Sequence, residues 1–372
     1  MARKKLGKES QLEPVVHILI IVLIAVLIIN FFLISTLSTT VKQKIKDVQE
    51  ASKPAELQIT IIKAECEDCF DISQVLELIK KGNVNITKEE TLNMQKAGEL
   101  IQKYNIKKLP TVIVTGQTNK TDLSFLTNTN EVYILTSVPL PYYSLEEKRV
   151  AGIIEATIIN ATDCEKCFNT NNLIEELKSN GITIKKTNYL KESEAGELIK
   201  KYNLKALPAL ILSKGAADYE ILKENWQTYG TVADDKSYLS SGQFPPYKDL
   251  TTNSVKGLVT VTYITDKTCK ECYDVKTHKK IIEGFGVIIE KEETYDISED
   301  KGKELLNKYN TTLVPTVIIS EDGDEYKSFR RAFEKVSYQT IDKQRIFNQP
   351  SIVGAYKDLK TNKVITPKQE GE

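Results

Sequence analysis

The most extended apolar stretch of the chain lies near the N-terminus, at residues 15–34, where only His17 and Asn30 interrupt it. A helix of about 20 residues rises about 30 Å, which matches the hydrocarbon thickness of a bilayer. We therefore predict a transmembrane helix at 15–34, between an N-terminal segment at 1–14 and a polar stalk at 35–56 that could itself be helical. A cleaved signal peptide is the alternative, but its apolar region usually has about 7–15 residues.

Basic residues flank this apolar run on both sides. Those that precede it are Arg3, Lys4, Lys5 and Lys8. Those that follow it begin farther from its end, at Lys42, Lys44 and Lys46. Because positively charged flanks tend to stay in the cytoplasm, we predict a cytoplasmic N-terminus and C-terminal domains outside the cell membrane. Four N-x-S/T sequons are compatible with export, at Asn85, Asn119, Asn160 and Asn310.

Beyond the stalk, the same pattern of apolar and polar positions occurs three times. Each repeat opens with an apolar, β-branched strand, predicted at 58–63, 155–160 and 258–265. A C-x-x-C pair follows each strand, and the pairs are Cys66/Cys69, Cys164/Cys167 and Cys269/Cys272. The spacing between pairs is that of a domain and not of a solenoid repeat. We expect duplicated α/β domains at 57–150, 151–254 and 255–365.

The rest of each repeat is also shared. A helix, a second strand and a second helix are predicted, and the second helix ends at Tyr-Asn, with Asn as a left-handed stop. A proline then heads a strong apolar strand, at Pro110, Pro208 and Pro315. A tyrosine-containing hairpin follows, at 141–145, 246–250 and 355–359, and we place the domain borders there.

Composition narrows the possible partners. The chain has 51 basic and 51 acidic residues and 41% hydrophobic residues. This content allows each domain its own core, and the zero net charge gives no bias toward nucleic acid or an acidic substrate. We therefore expect no nucleic-acid partner.

The order strand, C-x-x-C, helix, strand, helix, Tyr-Asn and Leu/Val-Pro resembles thioredoxin-fold proteins. The first cysteine precedes the proline by 44 residues in repeats 1 and 2 and by 46 in repeat 3. The resemblance implies three tandem thioredoxin-like domains behind one transmembrane helix, similar to the arrangement of protein disulfide isomerases. It also implies that Pro110, Pro208 and Pro315 are cis and line a substrate groove beside the cysteines.

The repeats also depart from the family pattern. The aromatic residue that commonly precedes the first cysteine is replaced by Glu65, Asp163 and Thr268. The buried acid that thioredoxins carry six residues before that cysteine is absent, and the positions hold Thr60, Ile158 and Tyr263. We therefore do not interpret any repeat as a thioredoxin proper.

All six cysteines of the chain lie in these pairs, which favours a chemical role. A cysteine at a helix N-terminus has a lowered pKa, so we predict Cys66, Cys164 and Cys269 as nucleophiles. We predict Cys69, Cys167 and Cys272 as resolving thiols, which complete thiol–disulfide exchange on protein substrates without a cofactor. Acidic residues between the cysteines should oppose thiolate formation in repeat 1, whereas Lys166 and Lys270 partly offset the acids in the other repeats.

Two other interpretations stay open. The pairs could be permanent local disulfides in a non-catalytic scaffold or binding protein. They could also bind metal, because C-x-x-C is half of a zinc site, but the only histidine near a pair is His278. We expect His278 to be a helix-surface residue and Trp226 a core or groove aromatic. Our main hypothesis is a membrane-anchored, extracytoplasmic thiol–disulfide oxidoreductase or isomerase, whose redox partner the sequence does not identify.

Overall fold

The structure, a computed structural model, describes residues 12–335 and 338–367. Most of the predicted 1–14 segment, including its four basic residues, lies outside this range. Residues 336–337 of the predicted third domain also lie outside it. Two compact units divide the chain, one up to Arg149 and one from Val150. The first contains repeat 1, and the second contains repeats 2 and 3.

The apolar run belongs to a longer helix, α1 (Leu12–Ser52). Its stretch from His17 to Lys46 is long and apolar enough to cross a membrane, and its side chains are exposed. The predicted stalk is helical as far as Ser52 and continues the apolar helix without a break. Residues 35–52 contain no glycine or proline, and hydroxyl groups bond back to the preceding turn, as Thr40 Oγ1 does to the carbonyl oxygen of Thr36 at 2.8 Å.

Repeat 1 follows this helix after two residues. Its elements are β1 (Ala55–Lys63), α2 (Ser73–Lys81), β2 (Val84–Asn93), α3 (Gly98–Lys103), β3 (Lys108–Leu109), β4 (Thr111–Gly116), β5 (Thr127–Thr129), β6 (Val132–Ile134), β7 (Tyr142–Ser144) and β8 (Arg149–Ala151). The first strand begins at Ala55, before the predicted border at 57, because Pro54 ends the helix. Alternate residues from Ala55 onward are buried.

Repeat 2 has the same order of elements with one more helix. They are β9 (Ile154–Asn160), α4 (Asn171–Ser179), β10 (Ile184–Lys191), α5 (Gly196–Lys201), β11 (Ala206–Leu207), β12 (Ala209–Leu212), α6 (Glu220–Asn225), β13 (Thr231–Val232), β14 (Tyr238–Ser241), β15 (Tyr247–Asp249) and β16 (Ser254–Lys256).

Repeat 3 has the same elements as repeat 2. They are β17 (Leu258–Thr265), α7 (Thr277–Gly284), β18 (Ile288–Asp296), α8 (Asp300–Lys308), β19 (Leu313–Val314), β20 (Thr316–Ile319), α9 (Lys327–Lys335), β21 (Tyr338–Ile341), β22 (Gln344–Phe347), β23 (Tyr356–Asp358) and β24 (Lys363–Ile365).

The main sheet has five strands in one order in every repeat: β2-β1-β4-β6-β5, β10-β9-β12-β14-β13 and β18-β17-β20-β22-β21. The first two strands of each repeat pair in parallel across a helix, and the strand after the proline joins antiparallel to the first. This mixed sheet, a βαβ unit followed by an antiparallel hairpin, is the thioredoxin arrangement. The predicted fold class is therefore confirmed.

The tyrosine-containing hairpin of each repeat (β7–β8, β15–β16 and β23–β24) is called the linker hairpin below. A smaller sheet joins it to the short strand before the proline. Strand β11 pairs with β15, which pairs with β16, and β19 pairs with β23, which pairs with β24. In repeat 1, β3 pairs with β7 in the same way. The predicted linker element is thus a hairpin that packs on the repeat it follows.

The core of each repeat lies on both faces of its main sheet. In repeat 1, Val112 and Val114 of β4 pack in one cluster, and Ile113 packs in the other. This is the alternation of side chains expected for a strand that is buried on both faces. Repeat 3 has an aromatic core, in which the rings of Phe329 and Phe333 lie 4.0 Å apart.

We predict that Phe329→Ala lowers the free energy of unfolding of repeat 3 by about 3–5 kcal/mol, because it leaves a cavity in a close-packed core. Phe329 is 0% exposed. Urea unfolding of the detergent-solubilised chain, followed by hydrogen exchange of repeat 3, measures the change. Phe125→Ala is the control, since Phe125 is 42% exposed, and equal effects of the two substitutions would contradict the assignment of Phe329 to the core.

Candidate functional site

All three C-x-x-C pairs are closed as disulfides. Their S–S distances are 2.09, 2.00 and 1.99 Å, and their Cα atoms lie 5.3–5.5 Å apart. Each pair lies in the loop that leaves the end of the repeat's first strand. All six cysteines are half-buried, so part of each residue is accessible to solvent.

The predicted position of the cysteines at a helix N-terminus is wrong. The first helices begin at Ser73, Asn171 and Thr277, which lie seven or eight residues after the first cysteine. The influence of a helix dipole falls off within its first turn. We therefore discard the helix dipole as the reason for a lowered cysteine pKa.

A side chain just after the second cysteine explains this delay. Asp71, Asn169 and Asp274 stand at equivalent positions, and each accepts a hydrogen bond from the backbone amide two residues later, at 2.9–3.1 Å. Such Asx turns offer the backbone an alternative to helical bonding. The sequence carries this signal in all three repeats as an aromatic residue followed by Asp or Asn after the second cysteine.

The proline loops lie beside the pairs. The peptide bonds that precede Pro110, Pro208 and Pro315 are cis. In repeat 1, Pro110 lines a cleft of about 220 Å³ together with Cys66 and Cys69.

In repeats 2 and 3 the residue before the proline faces the second sulfur. Cys167 Sγ lies 3.8 Å from the carbonyl oxygen of Leu207, and Cys272 Sγ lies 3.9 Å from that of Val314. A nearby carbonyl oxygen favours the protonated form of a thiol. The geometry therefore favours the first cysteine as the thiolate after reduction.

The linker hairpin also contacts the cysteine loop. The amide after the second cysteine donates to a hairpin carbonyl, and the pairs are Phe70 to Pro141 at 2.7 Å, Phe168 to Pro246 at 2.8 Å and Tyr273 to Ala355 at 2.8 Å. Pro141 and Pro246 also follow cis peptide bonds. The hairpin at each border between repeats therefore forms one wall of the cysteine site.

The charge of Lys166 is already engaged within the second unit. This lysine lies between the cysteines of repeat 2 and forms an ion pair with Glu290, on strand β18 of repeat 3. Both side chains are exposed, so the pair contributes little to stability. The predicted compensation of acidic neighbours by Lys166 is weakened, because Glu290 offsets the lysine charge.

His278 is buried, and its predicted place on the helix surface is wrong. It is 2% exposed, and its Nε2 lies 3.0 Å from the hydroxyl of Tyr273, which also donates to the carbonyl oxygen of Pro315. Burial lowers the pKa of His278 to about 4. The equivalent residues Val75 and Leu173 are apolar and buried, so aligning the repeats would have identified this position.

Trp226 is a core aromatic, as predicted. It is 3% exposed, and its Nε1 donates to the carbonyl oxygen of Thr231 at 3.0 Å. Across residues 12–335 and 338–367, no group of three or more His, Cys, Asp or Glu side chains is placed to hold a metal ion.

No protein-family model matches the chain, and no curated protein matches it. Among solved structures, ERdj5 form II is 16% identical, with 75% of this chain and 38% of that chain covered and a TM-score of 0.15. A protein disulfide oxidoreductase from Aeropyrum pernix is 16% identical over 49% of this chain and 88% of that chain, with a TM-score of 0.15. Human ERp44 is 13% identical, with 78% of this chain and 90% of that chain covered and a TM-score of 0.14. The chain thus spans 38% of the ERdj5 chain it matches.

We predict that His278→Leu weakens the acid sensitivity of repeat 3. The pKa of His278 lies near 4 in the folded state and at 6.5 ordinarily, so the unfolded state binds more protons between these values. Stability then falls as the pH falls from about 6.5 to about 4. The variant should lose about 3 kcal/mol less than the wild type between pH 7 and pH 4.

Urea unfolding at the two pH values measures this difference, because the carboxylates that also titrate are common to both proteins. Tyr273→Phe is the control. This substitution introduces the phenylalanine that repeat 2 has at the equivalent position, Phe168, and it retains the buried imidazole of His278. The acid sensitivity of this variant should therefore persist. An unchanged pH dependence in His278→Leu would show that the histidine is not the cause.

Proposed function

We propose that this chain is a membrane-anchored thiol–disulfide oxidoreductase or isomerase that acts on protein cysteines outside the cytoplasm. The observation that supports this proposal best occurs in all three repeats. In each thioredoxin-fold repeat, a half-buried C-x-x-C pair lies beside a cis-proline loop. No other cysteine is present in the chain.

The exchange step needs only the pair and its substrate. The thiolate of Cys66, Cys164 or Cys269 attacks one sulfur of a substrate disulfide, forms a mixed disulfide and releases the other substrate sulfur as a thiolate, which takes a proton from water. The second cysteine then loses its proton and attacks the first, which releases the remaining substrate thiolate. The enzyme dithiol is oxidised, and the substrate disulfide is reduced by two electrons. The reverse sequence oxidises a substrate dithiol.

The same proposal gives the proline loops a part in binding. The backbone around Pro110, Pro208 and Pro315 would accept an extended substrate segment as an added strand, which places its cysteine on the nucleophile. The carbonyl groups near Cys167 and Cys272 would keep these resolving thiols protonated until the mixed disulfide forms.

One observation favours a second candidate, a scaffold with permanent disulfides. The helices begin too late to stabilise a thiolate. Against this candidate, a disulfide across so short a loop constrains the unfolded chain little. Equilibration of the full chain with glutathione buffers separates the two. Potentials of about −120 to −270 mV are those of exchange catalysts, and values below about −300 mV in all three pairs are those of structural disulfides.

We predict that replacing only the second cysteine traps substrates. In Cys69→Ser, Cys167→Ser and Cys272→Ser, the first cysteine still attacks, but no resolving thiol releases the product. Mixed disulfides should therefore accumulate when each reduced variant is mixed with a test protein that carries one activated disulfide, and non-reducing electrophoresis with mass spectrometry identifies them. The triple variant of Cys66, Cys164 and Cys269 is the control and should react at the uncatalysed rate. Equal labelling of both sets would contradict the assigned roles.

Helix α1 is the proposed membrane anchor, and this role leads to a separate prediction. The full chain should remain in the membrane pellet after an alkaline carbonate wash, whereas a chain that begins at Lys53 should appear in the supernatant. Protease added outside intact cells should degrade the repeats of the full chain. Recovery of a soluble exported chain whose N-terminus lies after residue 34 would instead identify 15–34 as a cleaved signal peptide.

A further inference from the structure

The linker hairpin places one residue at the same point of every redox site. In the small sheets, Tyr143 pairs with Leu109, Lys248 with Leu207 and Lys357 with Val314. The partner in each case is the residue before the cis-proline. The hairpin position is therefore fixed by register to the proline loop, and it is a tyrosine in repeat 1 and a lysine in repeats 2 and 3.

Lys248 is a buried cation. Its side chain is 8% exposed, and its Nζ lies 3.1 and 3.0 Å from the two carboxylate oxygens of Glu192 and 3.6 Å from Asp163 Oδ2. Glu192 in turn accepts from the amide of Thr162 at 3.4 Å. The Glu192 carboxylate raises the pKa of Lys248. A charged lysine is thus tied, through one carboxylate, to the loop that precedes Cys164.

Repeat 3 reaches the same arrangement with a different acid. Lys357 Nζ lies 2.7 Å from Asp266 Oδ2, and Asp266 Oδ1 accepts from the amide and the hydroxyl of Thr268, the residue before Cys269. Burial acts to raise the pKa of Asp266, but hydrogen bonds from Lys357 and Thr268 lower it overall. Glu192 follows the second strand of its repeat, whereas Asp266 follows the first, so only the lysine is common to both.

Repeat 1 has neither partner. Its hairpin residue is Tyr143, and the position of Glu192 is taken by Met94. By strand register, the position of Asp266 is taken by Ala64, which lines the cleft beside Cys66 and Cys69. Site 1 therefore differs from sites 2 and 3 at this register position, which the fold holds constant.

We infer that Lys248 and Lys357 are positioning residues. Each neutralises the carboxylate that is hydrogen-bonded to the loop before the first cysteine, and so keeps Cys164 or Cys269 reactive, whereas repeat 1 has no such lysine. This inference rests on the proposed exchange function. Asp266 is buried, and Glu192 is 24% exposed. Either carboxylate, left without its cation, would oppose a nearby thiolate, because like charges interact strongly in a partly desolvated site.

Other charged and titratable groups near the two cysteines stay constant in the test. Around Cys164 they are Asp163, Glu165, Lys166 and Glu290. Around Cys269 they are Lys267, Lys270, Glu271, Asp296, Glu299, Tyr273 and His278. Lys267 binds Asp296 through its amide and Glu299 through its ammonium group, and Lys166 binds Glu290. These contacts include neither Lys248 nor Lys357. Asp163 differs, because it lies 3.6 Å from Lys248 Nζ and loses this partner in Lys248→Met.

The test is the pH profile of alkylation for each first cysteine in the reduced, detergent-solubilised full chain, resolved by mass spectrometry. Lys248→Met should raise the pKa of Cys164 by about one unit, and Lys357→Met should do the same at Cys269, so that alkylation at pH 7 slows up to about tenfold. Lys357→Arg retains the charge and should keep the wild-type profile. Tyr143→Phe is the matched control and should leave Cys66 unchanged.

The double variant Lys357→Met/Asp266→Asn separates charge from packing. It removes both charges and should return the Cys269 profile toward the wild type, which a merely structural lysine would not do. Unchanged profiles in both single methionine variants would overturn the inference. A wild-type chain whose first thiols show the expected profiles but which exchanges with no disulfide-bonded protein would reject the proposed function and leave the lysine role intact.

Discussion

The antiparallel pairing between the first strand of a repeat and the strand after its proline is the interaction on which each site depends. Ile62 pairs with Thr111, Ile159 with Ala209 and Ile264 with Thr316. This register places the proline where the first strand ends and the cysteine loop leaves the sheet. Cysteines and proline are more than 40 residues apart in the chain, yet one ladder of backbone hydrogen bonds brings them together. Side chains in the loops then distinguish the three sites.

Much of this arrangement is predictable from sequence because it follows from backbone chemistry. The apolar strands, the proline at a strand head and the left-handed asparagine at the helix end were all predictable, and Asn105, Asn203 and Asn310 do have positive φ. Each of these signals is local. A strand needs its β-branched run, and the helix stop needs a residue that tolerates the left-handed conformation.

Other features of the fold depend on side chains that compete with helical hydrogen bonding, or on contacts with residues far away in the chain. The late start of helix α2 results from Asp71, whose carboxylate accepts a hydrogen bond from the backbone amide of Ser73 in a turn where the sequence alone suggests helix. The packing of the linker hairpin depends on pairing with Leu109, more than 30 residues earlier. The burial of His278 is not predictable from its own helix, because a polar residue on a short helix indicates an exposed position, whereas its counterparts Val75 and Leu173 are apolar and buried. Comparison between the repeats contains this information, whereas inspection of one repeat does not.

The continuity of helix α1 has a mechanical consequence. Residues 35–52 extend the helix by about 27 Å beyond the apolar run, and only Lys53 and Pro54 separate its end from strand β1. A flexible linker would let repeat 1 approach the surface in which the apolar part of the helix is embedded. A continuous helix that joins the repeat through two residues instead keeps repeat 1 at a fixed distance from that surface. Under the proposed function, substrates that reach the Cys66 site would then be selected by the distance of their cysteines from the surface as well as by their chemistry.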